Sequence, residues 1–392
     1  MRHLKVGTLL DSIKSLPPLP DVHQRVMEFT ADESRSAAEI ARIVSTDASL
    51  AARVLQVANT PFYGMNGRID TIPRAIVVLG GKIICSLALS SAVTSVFSDS
   101  ELSDECGIDV WKHSLQTAIA ARELADYHGT LDADLAFTGG LLHDMGKLVF
   151  ASLMAETYRM ILDEHVATCR PLLELEDAVL GMNHVTAGSI LCTTWALPHS
   201  IRTIVEEHHR ICGPSGPSRE CRLIVDREVD SESITVAHAN ILARLLAPHA
   251  SGESHVSMLE LRCLFARRRR PDLYRRLVVS QSMQPPVIIS TEQSPIEVVA
   301  VQVKNPDLNE AICLIALACG YAPTTGEETS LASFVITDSE MPHSSLPTVW
   351  TREFMTTLDD MAFLNVAVLH RILLLSVRSR SVRQVVRQHT AP

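Results

Sequence analysis

Aromatic residues are scarce in this chain, 4% of 392 positions, although 46% of its residues are hydrophobic. A core short of Phe, Tyr and Trp must be filled by Leu, Val, Ile and Ala, which favours packed helices over a β-sandwich. Nine cysteines are scattered at positions 85, 106, 169, 192, 212, 221, 263, 313 and 319, and no two form a Cys-x-x-Cys pair. That argues against a disulfide scaffold or a zinc ribbon and fits a reducing cytoplasm. Residues 1–16 carry charges and no continuous apolar stretch, so no signal peptide is expected. Long apolar runs are also missing. Ile83–Phe97 is short for a bilayer span and contains serines, and Met361–Val377 carries His370 and Arg371. Both read as buried helices, and no transmembrane segment is expected. Excess positive charge is absent too: the formal charge of −10 makes nucleic acid a poor default partner.

What is present suggests two or three domains. Leu16-Pro17-Pro18-Leu19-Pro20 is an extended entry segment. Residues 21–30 suit a first helix, Ser36 with Glu39 forms a capping box for a second, and Asp47 can cap a third that carries Leu50, Val54, Leu55 and Ala58 on its apolar side. A helical hairpin beginning at Thr71 is interrupted at Gly80-Gly81, and helical text continues to His209. No segment in residues 1–210 alternates like a half-buried strand. After the loop at 213–218, helices are expected at 234–246 and around 258–265, with a linker at 280–286. The pattern then becomes α/β. Strands are expected at Val298–Val303, Phe334–Thr337 and Pro347–Thr351, a helix begins at Asn305-Pro306, and a long apolar helix precedes a basic tail.

The richest chemistry lies in Gly140-Leu141-Leu142-His143-Asp144-Met145-Gly146-Lys147. On one continuous helix, His143 would share a face with Gly139, Gly140, Gly146 and Lys147, leaving room for a second helix or a ligand. His113, His184 and the doublet His208–His209 fall on other helices, several beside small residues. Their imidazoles, with the Asp144 carboxylate, can converge on one interior point. Mixed nitrogen and oxygen ligation suits Zn, Fe or Mn better than Ca or Mg. A cation there would acidify bound water, and Lys147 could stabilise charge on a phosphate oxygen. The plainer alternative is a set of hydrogen-bonded core histidines with an Asp144–Lys147 ion pair at i, i+3.

Residues 1–212 resemble an HDOD domain, a relative of the HD and HD-GYP phosphohydrolases. The likeness rests on Leu16–Pro20, on Ser45–Leu50 followed by Ala58-Asn59-Thr60-Pro61-Phe62-Tyr63-Gly64, and on Ile72, Ala75-Ile76 and Leu79-Gly80. It continues through Gly140–Lys147, His184 with Gly188, Trp195–Pro198 and His208-His209. The resemblance implies an all-helical bundle with a role in bacterial signalling or regulation, other signalling proteins as partners, and one divalent metal (Fe, Mn or Zn) as the cofactor. His113, His143, Asp144, His184, His208 and His209 match metal positions of the catalytic branch, and Lys147 with Asp144 its catalytic ones. Two departures weaken the catalytic expectation. Asn240 stands where that branch has a closing aspartate ligand, so a neutral oxygen replaces a charge. Arg210 follows the doublet in place of glutamate, and the Gly-Tyr-Pro signature is missing. The expectation is a mainly non-catalytic interaction module; the alternative is a phosphohydrolase acting on a cyclic (di)nucleotide or other phosphodiester.

The whole chain is thus expected to be mainly α: a helical HDOD domain over 1–212, a helical extension and linker over 213–284, and a small α/β module over 285–392. That module resembles a shortened response-regulator receiver, with Asp338 at a strand end and Thr351 after the next strand. Lys304-Asn305 stands where a receiver needs an acidic pair for Mg²⁺, so a docking module is the stronger reading. Residues 36–58 imitate a helix-turn-helix, yet the second helix is mostly Ala, Leu and Val and lacks an exposed polar face for bases. Arg267–Arg270, Arg275, Arg276 and the tail arginines at 378, 380, 383 and 387 read as solvated helix ends, or as a patch for an acidic partner or anionic surface.

Overall fold

The computed structural model describes residues 6–18, 36–63, 69–97, 109–129, 131–168, 170–209 and 232–246, then the short stretches 255–257, 298–302, 311–312, 322–324, 334–337, 348–350, 355–358 and 361–365. The helix expected at 21–30, the loop at 213–218, the helix at 258–265, the arginine run 267–270 and the basic tail lie outside those residues, as do Arg210, Asp338 and Thr351; of the helix expected after Asn305, residues 311–312 are described and are helical.

After α1 (Val6–Lys14), local caps set the helix starts. Ser36 Oγ accepts from the Glu39 amide at 3.3 Å while Glu39 Oε2 accepts from the Ser36 amide at 3.0 Å, opening α2 (Ala37–Val44). Asp47 Oδ1 accepts from the Leu50 amide at 2.9 Å and opens α3 (Ala48–Ala58). α4 (Ile72–Leu79) and α5 (Gly81–Val96) meet at Gly80, whose φ of 80° lies in a region glycine alone adopts freely. That corner bends the pair by 112°. Among the described residues no single helix is long and apolar enough to cross a membrane, and most of α5 is buried in the core.

The next helices build the site: α6 (Val110–His128), α7 (Ala133–Leu142), α8 (Met145–Leu153), α9 (Ala155–Thr168), α10 (Leu172–Leu180), α11 (His184–Thr194), α12 (His199–Glu207) and α13 (Glu232–Leu246). α7 and α13 pack on α6, α8 packs on α11, and α11 on α12. Leu, Val, Ile and Ala line this interior, with Phe137, Phe150 and Tyr158 the largest apolar side chains wholly buried in it.

The helix-turn-helix imitation is bundle packing. Ile40, Ile43 and Val44 of α2, with Leu50, Val54 and Val57 of α3, are buried. Arg53 stacks over the Trp111 ring at 4.2 Å and donates to Thr94 Oγ1 at 3.1 Å, and Gln56 accepts from Trp111 Nε1 at 3.4 Å. The two polar residues suited to reading bases are engaged by the domain itself.

In the C-terminal part, β2 (Val298–Gln302), β3 (Ala322–Thr324), β4 (Phe334–Thr337) and β5 (Thr348–Trp350) form a parallel sheet in the order β3-β2-β4-β5. The first strand of the sheet thus lies inside, with the second on one side and the third and fourth on the other. This is the start of the doubly wound order shared by flavodoxin-like folds. One expectation is corrected. The apolar run Met361–Val377 suggests a helix by composition, but Met361–Asn365 is a strand, β7. It pairs antiparallel with β6 (Met355–Leu358) and with β1 (His255–Ser257). A short apolar run cannot be assigned to strand or buried helix by period alone, and here non-local pairing decides.

Candidate metal centre

The sequence reading put His143 and Asp144 on one helix. They instead occupy the junction between α7 and α8: His143 follows the last residue of α7, and Asp144 is the N-cap of α8. The glycines around them therefore do not share a face. A Cβ on Gly139 would meet Ile204 of α12, one on Gly140 would meet the backbone of Ala118 in α6, and one on Gly146 would land on the His184 carbonyl of α11. Three different neighbours approach the junction closely. Among the other histidines, His113 lies within α6, His184 opens α11, and His208 caps the end of α12. Breaks between helices give the chain the turns needed to aim these rings inward.

His113, His143, Asp144, Lys147 and His184 have no exposed surface, His208 is 1% exposed, and His209 is half-buried. All six predicted ligands converge in two sets that share Asp144: His113, His143 and Asp144 in one, and Asp144, His184, His208 and His209 in the other. The two carboxylate oxygens divide the work. Oδ2 lies 3.4 Å from His113 Nε2, 3.3 Å from His143 Nε2 and 2.8 Å from Lys147 Nζ. Oδ1 lies 3.5 Å from His184 Nε2 and 3.4 Å from His208 Nε2. Lys147 is therefore not poised over open space for a phosphate. It is buried in an ion pair with Asp144, as the plainer reading had it.

Three tautomers follow from the partners on the far side of each ring. His143 Nδ1 faces the Gly140 carbonyl at 2.9 Å, His208 Nδ1 faces the Val205 carbonyl at 2.8 Å, and His184 Nδ1 faces Glu176 Oε2 at 2.7 Å. A carbonyl or carboxylate only accepts, so each Nδ1 carries the proton and each Nε2 presents its lone pair to the centre when the ring is neutral. Glu176 has no exposed surface and was not singled out in the sequence. One signal was available: it falls on the apolar stripe of α10 with Leu172, Leu175 and Leu180.

The donor set fits a divalent cation. A tetrahedral ion with bonds of about 2.1 Å has ligand–ligand edges of roughly 3.4 Å. In the Oδ1 set three edges are 3.0 Å (His184 Nε2 to His209 Nε2), 3.5 Å (His184 Nε2 to Asp144 Oδ1) and 3.4 Å (His208 Nε2 to Asp144 Oδ1). Asp144 Oδ1 and His208 Nε2 are both buried, and neither has a well-formed hydrogen bond.

The electrostatics agree. Burial opposes the charge on Asp144, but the neighbouring His143 and Lys147 outweigh it and hold its carboxyl well below the ordinary carboxylate range. Burial also opposes charge on His184, and the Glu176 carboxylate overrides it and raises that ring's pKa. Burial dominates at His208 and pushes it down to about 4 from 6.5. Between pH 6.5 and about 4 the unfolded chain binds a proton at position 208 that the folded protein refuses. His208 therefore makes the metal-free protein lose stability as pH falls through that window. His184 acts in the opposite sense, since its raised pKa favours folding at low pH and that contribution fades as pH rises through it. His208→Asn is expected to flatten the acid side of a melting-temperature curve recorded on metal-free protein. A curve identical to wild type would contradict the buried, neutral ring.

Residues 16–211 match the profile of the HDOD domain. The chain belongs to the HDOD family. An uncharacterised protein of Treponema pallidum (strain Nichols) is 25% identical to this HDOD chain over 242 residues, 61% of the chain and 44% of that protein. The match thus spans less than half of that relative. A structure of an HDOD domain protein of unknown function from Geobacter sulfurreducens is 24% identical, with 62% of this chain and 78% of that one covered at a TM-score of 0.47. A provisionally assigned signal transduction protein from Marinobacter aquaeolei VT8 shares the fold at 20% identity and a TM-score of 0.51, covering 72% of this chain and 66% of its own. The HDOD assignment accounts for the helical bundle.

Proposed function

We propose that this protein is a regulatory HDOD protein whose helical domain works chiefly by docking to other signalling proteins, and whose centre keeps one divalent cation (Fe, Mn or Zn) as a structural or sensing element. The observation that carries the reading is closure. Among the described residues His113, His143, Asp144, Lys147 and His184 are buried without exposed surface and His209 alone of the set is half-buried, whereas a hydrolytic centre must admit a phosphodiester to its nucleophile. The cation belongs on the Oδ1 side, held by Asp144, His184, His208 and His209. On the Oδ2 side the Lys147 ammonium already sits 2.8 Å from the carboxylate and balances its charge. Asp144 is the one carboxylate in the two ligand sets, so a second dication would lack a counter-charge. When bound, the cation would tie the start of α8, α11 and the end of α12 together through those four side chains and polarise any group that reached it.

The division into a helical domain over 1–212, an extension over 213–284 and a small α/β module over 285–392 is part of the same proposal, as is residence in the cytoplasm. The pairing of His255–Ser257 with Met361–Asn365 supports a role for the extension in completing the C-terminal module.

Elemental analysis of protein purified without added metal tests the reading, with one equivalent of Fe, Mn or Zn expected per chain. Chelation should lower the melting temperature, since a ligand held at a thousand times its Kd stabilises by about 4 kcal/mol. Protein free of metal that takes none up on titration would overturn the one-cation reading. The complete set of histidines around an aspartate favours a second reading, a metal-dependent phosphohydrolase acting on a cyclic (di)nucleotide or another phosphodiester. Turnover of such a substrate in Mn²⁺ or Fe²⁺, lost in Asp144→Ala, would install that reading instead.

A further inference from the structure

Among the described residues Glu176 is the other fully buried carboxylate near this centre, and it stands outside both ligand sets. Three hydrogen bonds hold its carboxylate. Tyr158, itself without exposed surface, donates its hydroxyl to Oε1 at 3.0 Å. Oε2 accepts twice from one residue, from the His184 amide at 2.9 Å and from His184 Nδ1 at 2.7 Å. The turn between α10 and α11 makes this reach possible. Gly181 adopts φ 76° to end α10, and Asn183 caps α11 by accepting from the Thr186 amide at 3.0 Å. Because Asn183 already caps α11, a buried charged group is not needed to start that helix. Burying a carboxylate carries a large desolvation penalty, so its partners must compensate. The partner that gains is the His184 ring, whose Nε2 faces Asp144 Oδ1 at 3.5 Å and His209 Nε2 at 3.0 Å.

We propose that Glu176, anchored by Tyr158, is a positioning residue for the cation: it locks the His184 ring by holding the Nδ1 proton, directs Nε2 at the centre, and adds negative charge behind a ligand set that contains a single carboxylate. This rests on the one-cation reading above. Outer partners of ligating histidines fix ring orientation and raise ligand basicity, and their loss typically weakens metal binding by about 10–100-fold.

The test compares wild type, Glu176→Gln and Glu176→Leu by competitive titration with Zn²⁺ and Co²⁺, with melting curves of the metal-free proteins alongside. Glutamine can keep the geometry: its carbonyl accepts from His184 and its amide donates to the Tyr158 oxygen. Glu176→Gln is therefore expected to melt within a few degrees of wild type yet bind both ions roughly 10-fold more weakly, and Glu176→Leu roughly 100-fold more weakly. Wild-type affinity in Glu176→Gln together with Glu176→Leu overturns the proposal. Should wild type itself take up neither ion, the cation reading fails, and the positioning claim is decided on metal-free protein by ¹⁵N NMR of its histidines. A slowly exchanging Nδ1–H on His184 that disappears in Glu176→Leu upholds the lock, and an unchanged signal defeats it.

Discussion

Asp144→Ala is expected to lower stability by about 3–5 kcal/mol and to abolish metal uptake together. The stability loss arises at Lys147. Its ammonium is buried with no exposed surface, and the Asp144 carboxylate 2.8 Å away is its counter-charge. Removing one partner of such a pair leaves the other charge in a medium that solvates it poorly, which is worse than removing both. The double variant Asp144→Ala/Lys147→Met should therefore lose less stability than the two single changes summed, by more than about 1 kcal/mol. Urea denaturation of the four proteins measures this cycle. Additive single effects would mean that the ion pair contributes little and that Lys147 owes its place to packing. The metal loss has a separate origin. Asp144 belongs to both ligand sets, so its removal dismantles both, whereas His113→Ala touches only the Oδ2 set and should leave one equivalent bound.

The second large effect is expected at Gly146. A Cβ there would land on the His184 carbonyl and lie 2.9 Å from the Gly188 amide nitrogen. Both obstacles are backbone and cannot swing aside, so Gly146→Ala must push α8 away from α11. Overpacking of this kind destabilises by about 1–3 kcal/mol and sometimes more, and the upper end is expected here. The same displacement carries His184 away from Asp144, so metal affinity should fall with stability. Gly188→Ala is the matched control. Its Cβ would meet Val205 Cγ1 at 2.8 Å, the end of a side chain that can adjust, and a change of about 1 kcal/mol is expected. Equal and mild effects at both positions would show that α8 and α11 are not in backbone contact beside the centre.

Several features were legible because their causes are local. The Ser36–Glu39 box, the Asp47 cap and the break at Gly80 each depend on atoms within about four residues, and all three are formed. The strand at Phe334–Thr337 agreed residue for residue, since a β-branched and aromatic run bounded by polar residues leaves little choice. The six candidate ligands were also legible as a group, because one Asp and five His are conspicuous in a core of aliphatic residues, and the structure brings them together. Glu176 is not distinguished by type from its neighbours Glu174 and Asp177, and only its register with Leu172, Leu175 and Leu180 marks it as buried. Met361–Asn365 was misread because its conformation is set by partners at 255–257 and 355–358.

The amino-acid sequence by itself determined the helical character of the described residues between 36 and 209, the family likeness and the choice of candidate ligands, because short-range hydrogen bonding and side-chain chemistry are written into neighbouring residues. Only the tertiary structure decided that Asp144 shares its two oxygens between two histidine groups, that Lys147 is sealed against one of them, and that Glu176 stands behind His184. Those three arrangements depend on how closely separate helices approach, and glycine contacts such as Gly146 against His184 set that distance through packing across the chain.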